Sequence, residues 1–210
     1  MDLTEKHRRL EELRIELAAL EGELASGQPG NAWPPTGFYS AYYATTGFML
    51  GGLGAMTSLL ANMLAAPLVG KSPLEIIKVY LTFPLGERAL QLSSSEGGLI
   101  LALGCTLYIA TGMVLGVPLY WVMVRICGAR PSLTKRLAVA SVLSLAVFAI
   151  NFYVLLSWLQ PALIGGRWIT DPTVLPPWVA ALTHLIFGWT LAVLYPLGQF
   201  TPYRQPSSSD

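Results

Sequence analysis

One histidine, His184, lies within the long apolar runs of this sequence, and its side chain is the most chemically versatile group there. An imidazole can bind haem iron or another metal, and it can also relay protons. The only other histidine, His7, lies in a charged N-terminal segment, so one chain cannot place two histidines on the same haem. We therefore consider three roles for His184: a ligand to a cofactor shared with another subunit, a member of a proton path, or a hydrogen-bonded neutral ring. Its candidate partners in the last case are Asn151, Thr183 and a backbone carbonyl.

Other catalytic arrangements are missing from the sequence. The uncharged runs contain no Asp, Glu, Lys or Arg, although proton-coupled pumps depend on ionisable groups within the membrane. Neither a Gly-x-Ser-x-Gly elbow nor a His-Glu-x-x-His motif is present. We predict that the chain alone is not an enzyme and has no cofactor of its own. A haem or pigment would belong to a larger complex.

The elements that would position His184 are long apolar helices. Residues 97–124 and 137–160 carry no charge, and each run exceeds the roughly 20 helical residues that cross a bilayer. The chain is 53% hydrophobic and 12% charged, whereas a soluble domain is about a quarter charged. The sequence predicts an all-α integral membrane protein, a four-helix transmembrane bundle with an N-terminal cytoplasmic amphipathic helix. A helix is predicted at 1–26 and a linker at 27–36. The membrane domain is predicted at 37–200, with spans at about 37–66, 97–126, 133–159 and 176–197 and an interfacial segment at 70–96. A disordered tail is predicted at 201–210.

Small residues recur at helical spacing in the first two spans. Glycines four residues apart allow two helix backbones to approach closely, which is a main source of packing in lipid. Pro118 is expected to kink the second span, because its ring removes a backbone donor. The predicted close contacts involve Gly47, Gly51, Gly54, Gly104, Gly112 and Gly116.

The segment between these spans mixes charged and apolar residues. Ser72-Pro73-Leu74-Glu75 has the pattern of a helix start, with a Ser cap and Pro at the first helical position. Leu74, Ile77 and Leu81 would then share one face. Pro84 and Gly86 should end this helix, and a second short helix is expected at 87–92. We predict helices lying at the membrane surface or packed on it, with a re-entrant loop at 83–86 as the alternative.

The N-terminal 26 residues have a leucine repeat. Leucines recur at alternating spacings of three and four, and charged residues cover the rest of the predicted helix. We predict either that this helix lies on the cytoplasmic face of its own chain, or that residues 3–24 contact a helix of a partner chain. The predicted contact residues are Leu10, Leu13, Leu17, Leu20 and Leu24.

Charge distribution predicts the orientation. The link between the second and third spans carries Arg125, Arg130, Lys135 and Arg136 and no acidic residue. Because positively charged loops remain in the cytoplasm, this link and both termini are expected there. The expected location is the inner membrane of a bacterium.

Two functions fit these features. The first is a non-catalytic accessory subunit of a larger bacterial membrane complex. Its expected partners are other integral membrane subunits and lipids, and no binding of nucleic acid is expected. Respiratory or photosynthetic electron transfer is suggested only by how common such complexes are. The second is a small carrier or channel for a neutral or lipidic solute. In that case Asn62, Asn151, His184 and the kink at Pro118 would line one path, whereas in a subunit these polar groups would face separate helix contacts.

Overall fold

The computed structural model describes residues 3–27, 39–93 and 97–200, and the side chains of 4–21, 39–93 and 97–200. In this part of the chain the structure is helical and contains no strand. The α-helices are α1 Leu3–Gly27, α2 Ser40–Ala65, α3 Glu75–Leu85, α4 Gly98–Cys127, α5 Leu133–Ala149, α6 Leu156–Ile164 and α7 Pro177–Leu194. A π-helix, Ile150–Leu155, joins α5 directly to α6, and 3₁₀ turns lie at Ala66–Val69, Gly86–Gln91, Trp168–Thr170 and Tyr195–Gly198. The helix α1 belongs to one compact unit and Ser40–Phe200 forms another.

Four helical stretches among the described residues are long and apolar enough to cross a membrane: Ser40–Val69, Gly98–Cys127, Leu133–Ile164 and Pro177–Gly198. The predicted all-α four-helix transmembrane fold is confirmed, and the chain is a multi-pass membrane protein. The third stretch continues through Pro161 to Ile164, beyond the predicted end at 159. Proline removes one backbone donor, yet here the helix ends only at Gly165, whose φ of 90° is left-handed. The predicted tail and nearly all of the predicted linker lie outside the described residues.

The helices α2 and α4 make the most extensive contact in the bundle. A Cβ added at Gly47 would lie 2.7 Å from the carbonyl oxygen of Gly116. A Cβ at Gly51 would lie 2.9 Å from Gly116 Cα and would overlap the Gly112 carbonyl. These glycines therefore let the two backbones touch, with no side chain between them.

The remaining helices complete the bundle around this pair. The helix α7 packs on both α2 and α5, whereas α4 and α5 share a smaller contact. Gly54 of α2 faces α7, where an added Cβ would lie 2.7 Å from Leu191 Cδ1. The predicted contact at Gly104 involves α3 and not another span, because an added Cβ would lie 2.7 Å from Ile77 Cγ2. The bundle thus consists of two pairs, α2 with α4 and α5 with α7, which meet directly where α7 packs on α2, and α3 contacts both pairs.

Both faces of α3 are buried. Ile77 and Leu81 pack into one apolar cluster with Leu59 of α2 and Leu101 of α4. Val79, on the opposite face, packs into a second cluster with Phe148, Phe152, Ile169, Leu175 and Ala180. The predicted shared face of Ile77 and Leu81 is present, with Leu74 partly buried beside it. A helix that rests on a surface buries only one face. Because both faces of α3 are buried, this helix lies between the two helix pairs.

The ends of α3 differ in part from expectation. The helix begins at Glu75, and the residue before it, Leu74, makes no side-chain cap. Ser72 instead forms a turn, since its carbonyl accepts a hydrogen bond from the Glu75 amide at 2.9 Å. Pro84 lies within the last turn, and Gly86, with a φ of 64°, ends the helix. The second short helix is a 3₁₀ turn and not an α-helix.

A buried amide fixes α3 against the end of α6. Gln160 is fully buried, and its amide nitrogen donates to Thr82 Oγ1 of α3 at 2.9 Å. Its carbonyl oxygen accepts from the Ile169 amide at 3.0 Å. Because unpaired polar groups are costly in a buried apolar site, this set of hydrogen bonds specifies where α3 sits.

The opposite end of the bundle is closed by aromatic side chains. The Tyr120 hydroxyl donates to the Tyr195 carbonyl at 3.0 Å, and the Tyr195 hydroxyl donates to the Gly128 carbonyl. Arg136 donates to the Ala192 carbonyl at 3.1 Å, and its guanidinium lies 5.9 Å from the centre of the Tyr195 ring. At this end the two helix pairs are therefore joined directly by side chains, whereas at the other end α3 lies between them.

The α2–α4 contact predicts the effect of small substitutions. Gly51→Ala and Gly116→Ala should each lower the free energy of unfolding by about 1–3 kcal/mol, because the added methyl overlaps backbone atoms of the other helix. Thermal unfolding in mild detergent measures the change. Gly98→Ala is the matched control, because no atom of the described residues lies within 4 Å of its added Cβ. Equal unfolding temperatures for all three variants would contradict this packing.

Candidate functional site

A cavity of about 410 Å³ lies between the two helix pairs. Each pair contributes one wall, and α3 closes the end with Ile76, Val79, Tyr80 and Phe83. This volume lies within the roughly 300–1,000 Å³ that is usual for small-molecule sites. At this end of the bundle α3 contacts both α4 and α6, so it lies between these two helices.

The cavity is continuous with the perimeter of the bundle. Leu107 of α4 and Leu155 of the π-helix both line it, and they are 45% and 43% exposed. The perimeter of a membrane-spanning bundle faces lipid. The cavity therefore opens toward lipid on the side where Leu107 and Leu155 lie.

Half of the polar side chains in the lining are paired with one another. Ser58 and Tyr108 share a hydrogen bond of 2.9 Å, which joins α2 to α4. The Tyr80 hydroxyl bonds to Thr111, which joins α3 to α4. Burial raises the pKa of Tyr80, and the hydrogen bond to Thr111 offsets part of that rise. The two hydroxyl pairs thus contribute no charge to a lining that is otherwise mainly apolar.

His184 lies in the wall formed by α7. Its Nδ1 is 2.8 Å from the Ala180 carbonyl, and its ring meets the edge of Phe148 with 5.6 Å between ring centres. Because a carbonyl only accepts, Nδ1 must carry the hydrogen, and a neutral ring then keeps a lone pair on Nε2. This is the backbone-carbonyl partner that the sequence offered as one of three. From the described part of the chain, no hydrogen bond reaches Nε2.

Asn151 also lines the cavity, on the first turn of the π-helix that continues α5. It follows Phe148 by three residues, so it is about one helical turn from the ring that touches His184. Its amide makes no hydrogen bond with any described residue. Single-turn π segments recur at functional sites, and here the segment coincides with the cavity wall.

Asn62 does not face this cavity. Its amide nitrogen donates to the Ser58 carbonyl at 2.8 Å and to Thr183 Oγ1 at 2.9 Å, so it holds α2 against α7. It lines a separate cavity of about 260 Å³ between these helices. Pro118 does not line the larger cavity either. Of the polar groups expected along one path, Asn151 and His184 therefore share a cavity and Asn62 does not.

Ser144 is a buried hydroxyl that the sequence did not single out. It is 1% exposed, lies in the cavity wall on α5, and its Oγ has no hydrogen-bond partner among the described residues. It packs so closely on α7 that a Cβ added at Gly188 would overlap it. The sequence signals that could have found this contact are a small polar residue in one span and a glycine in the next.

Metal binding has little support from the geometry. In the part of the chain that is described, no three His, Cys, Asp or Glu side chains come together as a metal site. His184 would be one ligand with a lone pair, and a second ligand would have to come from elsewhere. The arrangement is better suited to accepting a hydrogen bond.

The leucines of α1 are exposed within their own unit. Leu10, Leu13, Leu17 and Leu20 are 49%, 50%, 59% and 52% exposed. Arg9 and Arg14 pair with Glu12 and Glu11 along the same helix. The side chain of Leu24 lies outside the described residues.

Comparison with known proteins finds no matching family model, no similar curated protein and no similar solved structure. The function must therefore be inferred from the residues and cavities of this chain.

Two buried serines of the cavity wall should respond differently to the loss of a hydroxyl. Ser58→Ala should lower the free energy of unfolding by about 0.5–1.5 kcal/mol, because it removes the bond to Tyr108. Ser144→Ala should leave stability unchanged or raise it, because the lost hydroxyl is unpaired. Both serines are 1% exposed, so each is the control for the other in thermal unfolding. An equal loss in both variants would show that Ser144 has a partner.

Proposed function

We propose that this membrane protein binds a neutral, lipid-soluble molecule and acts as a carrier or binding protein for it. The observation that supports the proposal is the cavity beneath α3, which is open to the perimeter of the bundle and mainly apolar. This is the second of the functions that the sequence left open.

The chemistry of the lining favours an uncharged ligand. Among the described residues no Asp, Glu, Lys or Arg lines the cavity, and an unpaired charge moved into such a site would lose its hydration without compensation. An apolar molecule that moves from the bilayer into the cavity gives up no hydration, so its transfer costs little free energy. We propose that the chain binds this molecule without transforming it.

Filling the cavity should abolish binding. Val147 of α5 lines the cavity, whereas Val142 on the same helix is 69% exposed on the perimeter. In native membranes, a photoreactive long-chain alcohol bearing a diazirine should label residues of α4 and the π-helix. Val147→Trp should reduce this labelling by about tenfold or more, because the indole occupies the same volume. Peptide mass spectrometry quantifies the adducts.

Val142→Trp is the matched control and should label like the wild type, since it adds the same side chain outside the cavity. Thermal unfolding shows whether both variants fold. Equal labelling of the cavity peptides in both folded variants would contradict the proposal.

A second candidate function is an accessory subunit of a larger membrane complex, and the exposed leucines of α1 favour it. A leucine seam left about half exposed is typical of a helix that packs against another helix. An electron-transferring complex is suggested only by how common such complexes are, and no described residue selects it. The two functions are compatible, because a subunit can also bind a lipid-soluble molecule.

The subunit function predicts which face of α1 contacts a partner chain. Leu13→Glu combined with Leu17→Glu should remove partner chains that co-purify in mild detergent, because charge at a seam prevents helix packing. Ile15→Glu is the control, since Ile15 is 70% exposed and lies about 200° around the helix from Leu13. The subunit function would be contradicted if no partner chain co-purified with the wild type or with either variant. It would also be contradicted if the double variant and Ile15→Glu retained the same partner chains.

We also propose a bacterial inner membrane with both termini in the cytoplasm, supported by the basic link between α4 and α5. A cytoplasm-active reporter inserted at 129–131 should be active, and one inserted at 172–174 should be inactive. An export-active reporter should give the opposite result at each site. The reverse pattern would overturn the orientation.

A further inference from the structure

We infer that the ligand carries a hydroxyl head, which donates its hydrogen to Nε2 of His184 and accepts one from the amide of Asn151. This inference rests on the proposed binding function and specifies the chemistry of the same cavity. It follows from which polar groups of the lining are already paired and which remain available.

The available acceptor is the imidazole of His184. Its Nδ1 is used by the Ala180 carbonyl at 2.8 Å, which fixes the hydrogen on that nitrogen. Nε2 then has a lone pair and no hydrogen. A ligand carbonyl or ether oxygen presents only lone pairs to it, whereas a hydroxyl presents a hydrogen.

The available donor is the amide of Asn151. Its NH₂ group can donate to a ligand oxygen, and its own oxygen can accept. Asn151 and His184 line the same cavity from neighbouring elements, the π-helix that continues α5 and the helix α7, and Phe148 links them, because it contacts the imidazole and precedes Asn151 by three residues. One ligand oxygen that both donates and accepts would satisfy the two side chains together.

The other hydroxyls of the lining, apart from Ser144, already use their hydrogens, so they cannot donate to the ligand without breaking an existing bond, and a hydroxyl oxygen is a weaker acceptor than a neutral imidazole nitrogen. Tyr80 is paired with Thr111, Ser58 with Tyr108, and Thr183 with Asn62. Ser144 is unpaired, but its hydroxyl is buried against α7 and not accessible from the cavity. The rest of the lining is mainly apolar and suits a hydrocarbon body. The ligand class is therefore a long-chain alcohol or an alkylated phenol.

A pair of competitors that differ only in the hydroxyl tests this inference. A 4-alkylphenol and its methyl ether have the same skeleton, and the ether lacks the donor hydrogen. Each is titrated against cavity labelling by the photoreactive alcohol, with the full chain in lipid nanodiscs. The phenol should compete about three- to tenfold more strongly than the ether, which corresponds to one net hydrogen bond.

The preference should disappear in His184→Phe, which keeps a ring against Phe148 and removes the acceptor. Thr190→Val on the same helix is the control, because Thr190 bonds within α7 to the Ile186 carbonyl and does not line the cavity. It should keep the full preference. A preference that survives in a folded His184→Phe would overturn the assignment to His184.

Equal competition by phenol and ether in the wild type would overturn the inference while the proposed binding function stands. Cavity labelling that neither competitor reduces would overturn both. The wild-type comparison is decisive even where a variant does not fold.

Discussion

The burial of both faces of α3 is the constraint on which the rest of this structure depends. A short apolar helix between two membrane spans would ordinarily bury one face. Here Ile77 and Leu81 pack toward α2 and α4, while Val79 packs toward α5 and α7. Gln160 fixes the position of α3 through Thr82 and the Ile169 amide. Since α3 occupies the space between the helix pairs, α4 cannot close on the π-helix at that end.

The glycine contact between α2 and α4 has the opposite effect. Gly51 and Gly116 bring these backbones together, so no space for a ligand remains between α2 and α4 at this contact. The open volume is therefore confined to the gap between pairs. Ser58 bonds to Tyr108 within the first pair, Tyr80 of α3 bonds to Thr111, and the unpaired Ser144 hydroxyl is buried against α7. The side chains that remain for a ligand are those of His184 and Asn151. The same packing explains both where the cavity lies and why its polar groups are few.

The sequence predicted the features that depend on composition and local spacing. Span lengths follow from the thickness of the hydrocarbon core, and the glycine ridges place Gly47 and Gly51 on one face of α2. The insertion of α3 was not predictable, because the pattern at Leu74, Ile77 and Leu81 shows one apolar face and does not reveal that Val79 is also covered. Gly104 has the spacing of a span contact, yet its partner is α3. The π-helix and the continuation of α6 past Pro161 to Ile164 depend on tertiary packing, so the local sequence did not predict them.

The most direct test of the account is an experimental density map of the protein in a lipid nanodisc. The account predicts that α3 lies between the helix pairs and that α4 stands apart from the π-helix. It also predicts elongated density in the gap, reaching from the perimeter to His184. A map in which α3 lies flat on the bundle surface and α4 packs directly against the π-helix would contradict it.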